Sequence, residues 1–521
     1  MAELVSADEA VRRIPDGATV LINPLPCEEI FPAFRRLFEQ TGRPRDLTAV
    51  WAAGLGPFSE ERRGMNHFAE PGMVKRIVAG HIGLNYLLVK HIVANDIEAY
   101  NIPQGVLTQL YREIAAKRPG LVTRTGLGTF VDPRVEGGKM NPRTRQCEDL
   151  VRVIEIEGEE FLFYPSFHVD VGIVRGTTAD PHGNLTGEDE ALTMENLEVA
   201  MAAKNSGGFV IAQVLRTSDQ PANPLHVTVP GIFVDYVVKA GSRKTHPHTL
   251  FVEHDPAYTG KVRKPLQDIA APMPFGPEKI ICRRAALELR EGMNVNLGIG
   301  VPMGVAAVAF EEGFLDRIVL NTEVGTIGGL PEGGKNFGPA KSPMAFMSQS
   351  MMFDFYDGGG LSLSCVGMAQ ADLEGNVNVS RLGPKLIGSG GFINITQAAR
   401  KCVFCGEFTA GGLDVAVESG RLVIRNEGAI PKFVEAVEQI TFSGKLARKG
   451  HRPTLFVTER CVFTLVPEGL MLTEIAPGVD VERDILARMR FRPILPETVA
   501  PMDPDIFVDK PFRLIDKVCG V

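Results

Sequence analysis

Tryptophan occurs once and tyrosine seven times in the 521 residues, and the eight cysteines lie far apart. Cysteines this sparse in a long chain build no disulfide framework. Only Cys402 and Cys405 form a Cys-x-x-Cys, and without a second pair they make no zinc ribbon. Their run from Lys401 to Gly406 is apolar and strand-like. Residues three apart on a strand face opposite ways, so both read as buried structural thiols. His246-Pro-His248 has no Glu or Asp at ligand spacing on a helix, and no metal site is expected there. A basic excess is missing as well. A net charge of −8 and a pI near 5.8 provide no global basic field, which argues against nucleic acid or an anionic membrane as partner. No apolar run is long enough to span a bilayer, and no charged-then-apolar signal segment opens the sequence. A cytoplasmic protein is the expectation.

The composition that remains, 44% hydrophobic and 23% charged, is that of an ordinary globular protein. The length exceeds what one hydrophobic core fills, so two or more domains are expected. Strand-like and helix-like segments alternate from about Ser6 to Val252, which indicates an α/β fold with a largely parallel sheet. Clustered Pro, Gly and basic residues then interrupt the pattern from Asp255 to Pro277. Beyond them the opening order returns: a helix from Lys279 to Leu289, the turn Glu291-Gly292, a strand from Met293 to Leu297 and a helix from Val305 to Glu312. A second echo matches Asp180-Pro-His-Gly183-Asn184 with Asp372-Leu-Glu-Gly375-Asn376, each suited to a tight turn between strands. Two echoes in the same order point to two homologous open α/β domains, 1–254 and 278–521, joined by a linker at 255–277.

The chemistry-bearing stretch runs from Arg317 to Gly338. A short β-branched strand, Ile318 to Leu320, delivers Glu323 onto a loop rich in glycine. A carboxylate at the end of an apolar strand must be paired, solvated or used, because isolated burial is costly. Glycines around it allow a ligand close to both backbone and carboxylate. The pattern alone leaves open a loop Glu satisfied by backbone N–H groups. Asn296-Leu-Gly298-Ile-Gly300-Val-Pro-Met-Gly304 lies between a strand and a helix, where free amides can receive negative charge. Its spacing is not the dinucleotide fingerprint, and tight strand-to-helix packing explains it equally well. Gly388-Ser-Gly390-Gly391-Phe392 opens an apolar stretch leading to a helix-like Gln397 to Arg400, and its amides are oxyanion-hole candidates.

Together with His67-Phe-Ala-Glu-Pro-Gly-Met-Val-Lys-Arg76, Tyr100-Asn-Ile-Pro-Gln-Gly105, Gly126-Leu-Gly-Thr-Phe-Val-Asp-Pro133 and Arg284-Ala-Ala-Leu-Glu-Leu289, these segments resemble family I CoA transferases. The likeness is to single-chain short-chain acyl-CoA:acetate or 3-oxoacid CoA-transferases with fused halves, and it covers nearly the whole chain. The resemblance implies an active site at the domain interface and Glu323 as nucleophile, passing through an acyl-glutamyl anhydride and a glutamyl-CoA thioester. It also implies an oxyanion hole made by the Gln104 side chain with the N–H of Gly390 or Gly391, and contacts to the CoA substrate from Ile299, Gly300 and Gly325. From its position alone, Gln104 reads as a turn residue capping the next helix. The implied substrates are an acyl-CoA and a short carboxylic acid, with no further cofactor, and the assembly a homodimer or homotetramer. A hydrolase using the same Glu, or a silent CoA-binding protein of this fold, are the alternatives. One departure stands out: where the family has Gly-Gly-Phe after the first strand, this chain has Asn23-Pro24-Leu25-Pro26, a stiffer loop. Should it line the acyl pocket, specificity differs from acetate.

Overall fold

The computed structural model describes residues 2–519. Two large sheets dominate. The first contains β1 (Glu3–Leu4), β2 (Thr19–Ile22), β3 (Leu47–Trp51), β4 (Val74–Ala79), β5 (Glu98–Asn101), β6 (Val171–Ala179), β7 (Phe209–Thr217) and β8 (Tyr236–Lys239). They lie in the order β1-β8-β7-β6-β2-β3-β4-β5, and all neighbours along this path are parallel. The second contains β9 (Asn294–Leu297), β10 (Val319–Leu320), β11 (Leu363–Gly367), β12 (Cys402–Cys405), β13 (Thr454–Val457), β14 (Cys461–Val466), β15 (Gly469–Ile475) and β16 (Ala500–Pro501). Its order is β10-β9-β11-β12-β13-β14-β15-β16, parallel as far as β13. The chain is therefore α/β with parallel sheets, as its alternating pattern requires.

The two sheets repeat one topology. The path β3-β2-β6-β7-β8 in the first corresponds strand for strand to β10-β9-β11-β12-β13 in the second. Both halves open the same way: a helix, α1 (Ala7–Arg12) or α6 (Pro277–Ala286), then a turn at a left-handed glycine, then the strand. The glycines are Gly17 at φ 76° and Gly292 at φ 77°. Gly17 N–H donates to Arg45 O and Gly292 N–H to Arg317 O, each at 2.8 Å. The Asp-x-x-Gly-Asn echoes are the same turn as well. Asn184 donates from backbone and side chain to the Asp180 carboxylate at 2.9 Å, and Asn376 does so to Asp372 at 3.0 Å. The freed Asn Oδ1 then receives the N–H of Gly231 in one half and of Gly444 in the other.

The helices of the first half used below are α2 (Ile30–Thr41), α3 (Tyr86–Val93), α4 (Gln104–Ala115) and α5 (Asn196–Asn205). In α2 the apolar face of Ile30, Phe31, Ala33, Phe34 and Leu37 is buried, and Gly42 ends the helix in the left-handed conformation. The second half contributes α7 (Gly304–Glu311), α8 (Gln349–Phe355) and α9 (Phe392–Ala398). Its sheet is covered on both faces, and Cys402 enters one core while Cys405 enters the other, as expected for residues three apart on a strand. Helix α9 begins directly after Gly391, five residues earlier than the helix-like Gln397 to Arg400 suggests. Phe392-Ile-Asn-Ile carries two β-branched isoleucines, yet burial of Ile393 to Thr396 against neighbouring elements overrides their strand propensity.

The halves meet along α4 and α8. Arg112 on α4 makes a two-pronged ion pair with Asp354 on α8, with Nη2 to Oδ1 at 2.7 Å. Phe130 N–H donates to Ile440 O at 2.7 Å, and Gly126 N–H to the Gln397 side chain at 2.8 Å. Among the described residues no helix is long and apolar enough to cross a membrane.

Candidate active site

A cavity of about 300 Å³ lies between the halves, with walls from both. Glu323 lines it, three residues beyond the end of β10. The chain stops being a strand there because it closes on itself. Gly325 N–H donates to Thr322 O, and Thr322 N–H to Thr326 O, both at 3.0 Å, and the two threonine hydroxyls bond each other. Gly325 sits at φ 106°, and a Cβ there would lie 2.1 Å from Met347 O. Only glycine closes this turn. Gly325, expected to touch substrate, is instead a turn residue outside the cavity wall.

Glu323 is 7% exposed, and no cation pairs with it among the described residues. Its side-chain partner is Asn296, at the end of β9, whose Nδ2 lies 3.4 Å from Oε2. The same amide is 3.3 Å from Asn321 O and 3.4 Å from the Tyr356 hydroxyl, which donates to Asn321 Oδ1 at 2.5 Å. Burial raises the Glu323 pKa above the ordinary glutamate range, opposed by its own backbone N–H and by Asn296. A carboxylate enclosed without a counter-ion is costly to fold around, which is how a reactive group differs from a structural one.

Gln104 and Gly391 reach the same cavity from opposite halves. Gln104 is the first residue of α4 but does not cap it, and its Nε2 is buried with no partner among the described residues. Its backbone N–H donates to Gly390 O at 3.0 Å. A Cβ on Gly391 would lie 3.2 Å from Glu323 Cγ, so this glycine lets the loop press against the carboxylate stem. The Gly391 N–H has no acceptor among the described residues. Gly390 is different: its N–H already donates to Gly80 O at 2.8 Å, so it is not a free donor. Of the expected oxyanion-hole residues, Gln104 Nε2 and Gly391 N–H are thus the open donors, and Gly390 acts as a splice joining the halves.

Of the loop after β9, Ile299 lines the cavity and is 46% exposed, while Gly300 lies outside the wall with open space around it. Sequence reasoning assigned no role to His81, Tyr356 or Asn321. His81 lines the cavity with its Nδ1 unpartnered among the described residues, and burial lowers its pKa to about 4. It is neutral at physiological pH and adds no charge. For Asn296 the available signal was its place in the short strand β9, directly before the glycine-rich loop. The Pro24-Leu25-Pro26 loop does line the cavity. Leu25 packs with Ala53, Leu192, Met194 and Val324 into a small buried apolar group next to Glu323, separate from the main cores.

Comparison with known proteins shows the family. The family model described as Coenzyme A transferase matches residues 4–240. A caffeate CoA-transferase from Acetobacterium woodii is 45% identical over 520 residues, covering 98% of each chain. The acetate CoA-transferase YdiF from Escherichia coli K12 is 38% identical over 516 residues, covering 97% of this chain and 95% of its own. The crystal structure of YdiF from E. coli O157:H7 in a thioester complex with CoA superposes with a TM-score of 0.90 at 36% identity, covering 98% of this chain and 97% of that one. On these grounds, the chain belongs to the coenzyme A transferase family and is a CoA-transferase enzyme.

Proposed function

We propose that the enzyme moves CoA from a short-chain acyl-CoA to a carboxylic acid such as acetate or a 3-oxoacid, with Glu323 as the covalent carrier. The observation that carries this reading is a buried carboxylate without a counter-ion that lines, together with two unpaired N–H donors, a cavity shared by both halves. A Glu323 oxygen attacks the thioester carbonyl, the C–S bond breaks, and CoA thiolate leaves an acyl-glutamyl anhydride. The thiolate then attacks the glutamyl carbonyl, the donor acid departs as its carboxylate, and Glu323 becomes a thioester of CoA. An incoming carboxylate runs the two steps backwards and leaves as its CoA ester. No proton, water or external energy source is consumed, because each step trades one activated acyl group for another.

Each tetrahedral intermediate carries an oxyanion, and donors already in place stabilise it without reorganisation. Gln104 Nε2 and Gly391 N–H take that role. The desolvated Glu323 is more basic than an exposed one and correspondingly more nucleophilic, and Asn296 holds one of its oxygens. Enclosure protects the thioester from water. The Leu25, Ala53, Leu192, Met194 and Val324 group supports an uncharged acyl chain. The relative solved as a thioester complex with CoA supports the covalent intermediate. Incubation with acyl-CoA without acceptor, followed by peptide mass analysis, tests the reading. A CoA adduct on the peptide holding Glu323 is expected, and Glu323→Ala should give neither adduct nor turnover. Normal turnover by Glu323→Ala would identify a different nucleophile.

A further inference from the structure

The two open donors belong to different halves, so the hole exists only while α4 and the start of α9 keep one fixed separation. Beside the Gln104 N–H to Gly390 O bond, a largely buried polar junction outside the cavity wall ties the two elements together. Asn394, in the first turn of α9, receives the backbone N–H of Gly105 on its Oδ1 at 3.1 Å. A Cβ on Gly105 would lie 2.5 Å from both Asn394 Nδ2 and the Phe353 ring, so α4 is seated there with no room to spare. Asn394 Nδ2 in turn donates to both carboxylate oxygens of Asp357, at 3.1 and 3.0 Å. Gln109, one turn along α4 from Gly105, donates Nε2 to Asp357 Oδ2 at 2.9 Å. The Asp357 carboxylate therefore gathers a donor from each half.

The residue before it, Tyr356, donates to Asn321, on the segment that carries Glu323. Two consecutive residues thus touch the nucleophile's segment and both donor-bearing helices. Resting on the reading of Glu323 and the Gln104–Gly391 hole given above, we propose that Asp357 is a positioning residue that holds those two donors in register across the boundary between the halves. It touches no reacting atom; it acts through Asn394 and Gln109. The side chains that hydrogen-bond to it, Asn394 and Gln109, do so as donors, which suits an ionised acceptor; the one like charge beside it among the described residues is Asp354, which shares the Gln109 amide at 3.1 Å. Burial, and to a lesser extent the Asp354 charge, raise Asp357 to about 6, with the two amides opposing that rise, so it is mainly ionised at pH 7.5.

The test is Asp357→Asn, with the exchange variant Asp357→Asn/Asn394→Asp. In the single variant one carboxylate oxygen becomes an NH₂ group facing other donors. In the exchange variant residue 394 still accepts from Gly105, and its second oxygen accepts from the new amide at 357. That amide's oxygen remains for Gln109. We expect the single variant to lose at least tenfold in kcat with the KM for acyl-CoA within threefold of wild type, and the exchange variant to recover most of the loss. A purely structural role would change soluble yield and melting temperature without this pattern. Gln109→Leu, which removes one donor and leaves the carboxylate, should lose three- to tenfold in kcat at unchanged KM, and it decides the matter if Asp357→Asn does not fold. A single variant with kcat within twofold of wild type, or a loss the exchange does not restore, overturns the proposal. Wild-type protein is assayed in parallel for its Glu323 adduct. Absence of that adduct would sink the covalent mechanism itself, an outcome separate from anything the variants show.

Discussion

Replacing Gln104 by alanine removes a hydrogen-bond donor that has nothing to bind until a tetrahedral oxyanion forms. Its Nε2 is unpaired among the described residues, so no ground-state interaction is lost with it. The backbone bond from residue 104 to Gly390 O survives, and the side chain makes no cap. Alanine is also the better helix former at the start of α4. Stability should therefore change by less than about 1 kcal/mol. The transition state loses one preorganised donor, worth about 3 kcal/mol, or roughly a hundredfold or more in kcat. Because the interaction is absent from the ground state, KM should stay near its wild-type value. Steady-state exchange between labelled carboxylic acid and acyl-CoA gives kcat and KM, and rapid quench of the Glu323 adduct gives the first half-reaction. Both half-reactions use the same hole, so both should slow together. A Gln104→Ala enzyme with wild-type kcat, or one that loses only affinity, would show that the unpaired amide serves no oxyanion.

Further expectations come from the same geometry. Glu323 must be ionised to attack, and its raised pKa places the acid limb of the pH–rate profile above the range of an exposed glutamate; Asn296→Ala, which removes a hydrogen bond to the carboxylate, should move that limb higher still. A folded pKa above the unfolded one gives stability that is complete below the unfolded value and lost as pH rises through the folded value. Glu323→Gln should accordingly melt at a higher temperature than wild type at neutral pH, with the gap closing in acid. Gly105→Ala inserts a methyl 2.5 Å from Asn394 and Phe353, and overpacking of this kind costs about 1–3 kcal/mol, visible in denaturant melts together with reduced activity. Leu25→Ala opens the apolar end of the cavity, so competition assays should shift preference toward acyl chains longer by one or two carbons, at roughly 0.8 kcal/mol per buried methylene.

The repeat was legible because tight turns are short-range chemistry. Asp180 and Asn184, or Asp372 and Asn376, satisfy each other within five residues, so the motif shows in the letters before any fold is known. Strand periodicity and helix spacing revealed the α/β class in the same way. Where local preference and burial disagreed, the letters placed a boundary late: the helix-like signal begins at Gln397, while α9 begins at Phe392. Around the site, Glu323 was visible as a charge at the end of an apolar strand. Gly390 and Gly391 were visible only as a pair. Which of them keeps a free N–H depends on Gly80, some three hundred residues earlier in the chain.

Sequence alone thus determined the fold class and the family, and it pointed to a repeat and to the carboxylate on which the proposed chemistry turns, since these show in residue types and motifs along the chain. Tertiary structure decided which donors are open, that Gly325 shapes a turn and Gly300 stands apart, and that Asp357, Asn394 and Gln109 meet at all. Those outcomes depend on contacts between the two halves, and no local pattern encodes the distance between residues that only folding brings together.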